Sequence, residues 1–179
     1  MLMEKPDSNL VQKLFHREEV LDTIQDEVVI FMTNLLAGNV PHQIIEEGRC
    51  QLRMADEYES ISDGIASILK FHLKLRNQGY YFDKKLRDEI ITLHDKVSEY
   101  LDLVSKGYER RQPEVITKAR SIGTEVTLLV KELRDKHLAE LSEQKIEPYV
   151  NLAYTSTLTV YRHIRDHSLN IAEAQAGQK

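Results

Sequence analysis

The sequence predicts an all-α fold, an antiparallel bundle of about five long helices, and three observations predict it. Charged residues make up 30 % of the 179 positions, against only 7 Gly and 4 Pro, a balance that favours long helices over sheet. Apolar residues recur at spacings of three, four and seven, with no competing alternation of period two. Gly38, Pro41, Gly79, Pro113 and Pro148 divide the chain into five long stretches joined by short loops, which is the pattern of an antiparallel bundle.

Each stretch has its own justification. The first helix runs from about Ser8 or Asn9 to Ala37, on the stripe Leu10, Leu14, Leu21, Ile24, Val28, Phe31 and Leu35, with Gly38 as its C-terminal cap. Pro41 suits a first helical position and opens the second, which reaches Asn77 before Gly79 ends it. The third spans about Asp83 to Lys106, on Leu86, Ile90, Leu93, Val97, Tyr100, Leu101 and Val104. Pro113 opens the fourth, which ends near Ser142, and Pro148 opens the fifth, which ends near Ala176–Gly177. Residues 1–9 are expected to be a disordered lead-in to a single domain over 10–177.

Composition narrows the function classes. A net charge of −5 argues against nucleic acid as a partner, because phosphate contacts need a basic surface. The single Cys50 excludes an internal disulfide, fits a reducing compartment, and reads as an inert core thiol. The densest apolar run, Val28 to Met32, is far short of the roughly 20 residues a membrane span needs. The N-terminus carries no apolar signal core. The chain is therefore expected to be soluble and cytoplasmic.

A weak internal repeat organises the helices. A shift of 103 residues carries Ile61 to Ile164, Asp63 to Asp166, Ile65 to Ser168, Ile68 to Ile171 and Asp22 to Glu125. Two helical hairpins, each with an acid on both arms, describe it; repeat one covers about 10–79 and repeat two about 83–177. Heights counted from the Gly38–Pro41 turn at about 1.5 Å per residue set Glu18, Asp22, Glu59 and Asp63 level with one another. Four carboxylates at one height repel unless protons or a cation neutralise them, and carboxylates suit hard cations. Against this, Glu59 and Asp63 lie opposite the Ile61, Ile65, Ile68 stripe on a helical wheel, where a solvated polar face is the ordinary reading. In repeat two Arg162 stands where repeat one has Glu59, and Ser121 where it has Glu18. Arg162 and Asp166 are four apart and can pair directly, so the second cluster carries its own cation.

The stretch YRHIRDHSLNIAEA, residues 161 to 174, resembles the closing helix of the PhoU family, whose repeat carries a Glu-x-x-x-Asp element followed by a short apolar run. Ile164, Asp166, His167, Asn170, Ile171, Ala172 and Glu173 carry the match, and ESISD, residues 59 to 63, is similar to the same element in repeat one. REEVLDTIQDEV (17 to 28), RMADEYESISDGIASILKFHLKLRNQG (53 to 79) and KELRDKHLAEL (131 to 141) resemble the PhoU-like cytosolic domain of bacterial sodium/phosphate cotransporters. The resemblance implies a PhoU-like repeat of helical hairpins, association as a homodimer, and control of phosphate uptake rather than catalysis. It implies a place at the inner face of the membrane, with the membrane part of a phosphate transporter or its regulators as partner. It also implies a metal cluster of iron, zinc, manganese or magnesium, held by Glu18, Asp22, Glu59 and Asp63, with Asp166 the matching ligand in repeat two. Five helices instead of the family's six imply a missing first helix.

No other chemistry competes strongly. There is no phosphate-cradling Gly loop, no G-x-S-x-G, no HExxH and no paired CxxC, and the chain reads as a non-enzyme. His163 and His167, four apart, could ligate a metal, and His16 could join the acidic site. His72 falls on the apolar stripe as a core histidine. Tyr80, Tyr81 and Phe82 read as an aromatic seal on one end of the bundle. The alternative to a metal-bearing regulator is a metal-free helical protein–protein interaction module.

Overall fold

A computed structural model describes residues 7–143 and 146–177, and every regular element among them is a helix. These are α1 (Ser8–Leu36), α2 (His42–Asn77), α3 (Lys84–Glu109), α4 (Val115–Glu143) and α5 (Pro148–Gln175). The five expected helices are all present. Of the expected lead-in, Ser8 and Asn9 belong to α1, and residues 1–6 lie outside the described residues.

The ends follow local chemistry. Asp7 caps α1 by accepting a hydrogen bond from the Asn9 N–H at 2.9 Å, and Asp83 caps α3 by accepting one from the Leu86 N–H at 2.8 Å. Both satisfy amides that a helix N-terminus leaves unpaired. Pro41 stands at the N-cap of α2, one place before the expected first helical position. Gly38 is not a left-handed cap: α1 closes on Ala37, whose N–H bonds the Thr33 carbonyl in right-handed geometry. Gly79 does close α2, with φ +78°. Its N–H reaches the Arg76 carbonyl and the Tyr80 N–H reaches the Leu75 carbonyl, the paired bonds of a left-handed helix stop. Arg111 closes α3 in the same way at φ 53°, with the Gln112 N–H on the Gly107 carbonyl.

The helices form a row in the order α1, α2, α5, α4, with α3 lying across α4 and α5. Of the α3 stripe, Leu86, Ile90, Leu93, Val97, Tyr100 and Val104 are buried and Leu101 is partly buried. The stripe packs with Ile116, Ile122, Val126 and Val130 of α4 and with Tyr154, Leu158, Tyr161 and Ile164 of α5 in one hydrophobic core. By contrast α1 packs on α2 alone and buries no residue completely. Where α2 crosses α5, Gly64 admits Ile164: a Cβ at position 64 would lie 3.0 Å from Ile164 Cγ1.

One end is sealed by rings from Tyr80 and Phe82, whereas Tyr81, also expected in the seal, is exposed. Tyr80 stacks on Tyr149, and Phe82 meets His72 and Tyr154 edge-on. Cys50 is half-buried at the edge of the core, and burial raises its thiol pKa. His72 is buried, and burial, helped by the Arg76 charge, pushes its imidazole down to about 4.

Two outcomes follow from these features. Arg111 holds a backbone conformation that only Gly adopts without strain, so Arg111→Gly should raise stability by about 1 kcal/mol, read as a higher Tm. The unfolded chain protonates His72 near 6.5 whereas the folded chain protonates it near 4. The folded state is therefore fully favoured above that window and loses stability as pH falls through it, by about 3 kcal/mol. Thermal melts of His72→Leu should show a flatter dependence on pH between 7 and 4 than the parent.

Candidate metal centre

One flank of the α1–α2 seam is polar along its length. Nearest the turn, Gln25 Nε2 donates to Asp56 Oδ1 at 2.9 Å. Next come Asp22, Glu59 and Asp63, each offering a carboxylate oxygen within 4.8 Å of the others. Farthest from the turn, Lys70 Nζ lies 3.5 Å from Glu18 Oε1 and 5.7 Å from the centre of the Phe15 ring. The level set of acids therefore divides. Glu59 and Asp63 project together because they are one helical turn apart, and α1 presents Asp22 to them across the seam.

The three carboxylates strain one another. Glu59 is half-buried, and its carboxyl pKa is raised. Burial is the main cause, and the charges of Asp63 and Asp22 add to it. The Ser60 hydroxyl donates to Glu59 Oε2 at 3.4 Å and pulls the other way. Three anionic oxygens at this separation match the donor set of a hard divalent cation. Among the described residues, no other group of three or more His, Cys, Asp or Glu converges in this way.

The remaining candidates sit elsewhere. Glu18 is held by Lys70. Asp166 is held by two arginines: Arg165 Nη1 donates to its Oδ1 at 2.8 Å, and Arg162 Nε lies 3.9 Å from its Oδ2. Glu125 pairs with Lys96 of α3. Arg162 beside Asp166 follows from their spacing, but Arg165 and Lys96 were not legible as partners. Arg165 Nε also donates to the Gly123 carbonyl at 2.9 Å. The isolated Gly123 was the available signal, because a Cβ there would lie 3.2 Å from that nitrogen. His167 Nδ1 is hydrogen-bonded to Glu57 Oε2 at 2.7 Å across the α2–α5 contact, and His16 lies 3.7 Å from Glu19. Neither joins the acidic triad, and His163 is exposed.

Neither a family model nor a curated protein matches the chain.

A raised carboxyl pKa means that the ionised form disfavours the folded state, a cost present above the carboxylate range and absent once the group is protonated in both states. In chelator at neutral pH, Glu59→Gln should therefore raise Tm. That gain should shrink as pH falls through the carboxylate range, as thermal melts at a series of pH values will read.

Proposed function

We propose that this chain is a PhoU-like regulatory bundle acting at the cytosolic face of a sodium-dependent phosphate transporter. It controls uptake rather than catalysing a reaction. Asp22, Glu59 and Asp63 hold a hard cation in this reading, and pairs of chains form the working unit. The convergence of those three carboxylates is the observation that carries it. They come from the ESISD element and from the helix facing it, the places that the resemblance to the PhoU family marks. The contrast between the two hairpins supports the same reading. Repeat two, lacking the second acid, neutralises Asp166 with Arg162 and Arg165, whereas the basic residue seen at the repeat-one acids, Lys70, pairs with Glu18 rather than with the triad.

A bound cation would supply neutralising charge. The protein's part is to hold three oxygens from two helices close enough to share it, so that occupancy tightens α1 against α2. Because α1 packs on no other helix among the described residues, it is the element best suited to report occupancy to a partner. A metal-free interaction module is the second reading, favoured by the exposed apolar residues of α1.

The test is direct. Protein purified without chelator or affinity-tag metal should carry at least one ion per chain by plasma mass spectrometry. Glu59→Ala/Asp63→Ala should carry none and remain folded. The parent should gain Tm on adding manganese, iron, zinc or magnesium by ordinary binding linkage, and the double variant should not. An unloaded parent whose Tm ignores all four ions would leave the metal-free module as the function.

A further inference from the structure

α1 is amphipathic; Leu14, Val28, Val29, Met32 and Leu36 are partly buried on its α2 side, but one apolar flank beside that seam is left exposed. Val20, Leu21, Ile24, Phe31 and Leu35 are all exposed, Ile24 by 51 % and Phe31 by 61 %. On a wheel of 3.6 residues per turn these five fall within an arc of about 100°. That arc lies on the opposite flank of the α1–α2 seam from Asp22. Two exposed isoleucines of α2, Ile44 and Ile65, border the same side. Isolated surface apolar residues are ordinary, but a continuous stripe marks an interaction surface.

The second hairpin shows what shape fills such a groove. The α4–α5 pair is covered by α3, which reaches Tyr161 through a hydrogen bond between His94 Nδ1 and the tyrosine hydroxyl. The 103-residue shift carries Tyr161 back to Tyr58 and Ser168 back to Ile65. Ser168 is fully buried, whereas Ile65 is 39 % exposed. Tyr58 and Ile65 share one arc of α2, about 100° or more from Glu59. Only the C-terminal turns of α3 reach that arc, through Ser105 and Tyr108. The uncovered half of this face is therefore a groove for a helix, matching the half that α3 fills.

The charges on α1 select the occupant. Lys13 and Arg17 lie in the same arc as the apolar stripe, on its N-terminal side, and Glu27 borders it farther along. All three are exposed, and none has an ion-pair partner among the described residues. An antiparallel copy of α1 crossing near residues 22–24 would set Arg17 against Glu27 and Phe31 of its mate, in both directions at once. It would set Val20, Leu21 and Ile24 against themselves at the axis. A two-fold contact of this kind is self-complementary and closes. A parallel copy would instead oppose Arg17 to Arg17.

We propose that the exposed α1–α2 face is the interface of a two-fold dimer, in which the α1 helices of two copies pack antiparallel across their apolar stripes. The inference gives a location to the pairing in the functional reading above and rests on that reading for the pairing alone. It holds whether or not the acidic triad takes a cation.

Sedimentation equilibrium of the full chain in chelator tests it. The parent should run at twice its monomer mass. Ile24→Asp and Phe31→Asp should each run as monomers with unchanged helical circular dichroism, because both side chains are exposed within one chain. Arg17→Glu should weaken the dimer measurably, and Arg17→Glu/Glu27→Arg should restore it. A parent that stays monomeric, or grows into open oligomers, would overturn the proposal. A dimer that survives both aspartate variants would overturn the face while sparing the pairing. A metal-bound monomer would spare the triad alone.

Discussion

The contact between α2 and α5 is the constraint on which the rest of the arrangement depends. Each hairpin has its own seam, and the two are joined chiefly along this antiparallel pair. The approach is close because Gly64 leaves room for Ile164 and Val160. Side chains also tie it, through Glu57 to His167. With α2 and α5 locked in the middle of the row, α1 and α4 are necessarily its outer members, and α3 has two helices to lie across. Bulk at position 64 would push the hairpins apart and open the core that Ile61 and Ile164 share.

The two seams handle charge differently, although their sequences are related. At the α4–α5 seam, Arg165 bridges the Gly123 carbonyl and Asp166, with Arg162 beside it. These cations are built in, so the acid is balanced at all times. At the α1–α2 seam, Lys70 takes Glu18 and leaves Asp22, Glu59 and Asp63 facing one another. Clustered carboxylates store repulsion that a proton or a cation relieves. One seam is thus neutralised by its own arginines, and the other leaves three carboxylates facing one another.

The same asymmetry appears in the apolar faces. Repeat two is closed by α3 and holds most of the buried core. Among the described residues, repeat one is reached only by the C-terminal turns of α3, and its outer member buries nothing completely. The acidic flank and the open apolar flank belong to the same two helices, on opposite sides of one seam. A change in how α1 sits on α2 therefore alters both surfaces together.

The sequence by itself determined the number of helices, their stripes and most of their ends. Those depend on local spacing, on Asp caps and on Gly or Pro punctuation, which act within a few residues. Its misses at Gly38 and Pro41, at Pro113, after which α4 starts at Val115, and at the end of α3, which runs on to Glu109, were matters of end geometry. It also placed Asp22, Glu59 and Asp63 at one height, because rise per residue is fixed. Helical periodicity, however, gives an angle on each helix and no angle between helices. Only tertiary packing decided that Asp22 turns toward Glu59 while Glu18 turns to Lys70, and that Arg165, which nothing in the sequence singled out, reaches Gly123 and Asp166. Packing likewise decided that α3 covers one hairpin and touches the other only through its C-terminal turns, since an apolar stripe states that a helix wants a partner but not which one it obtains.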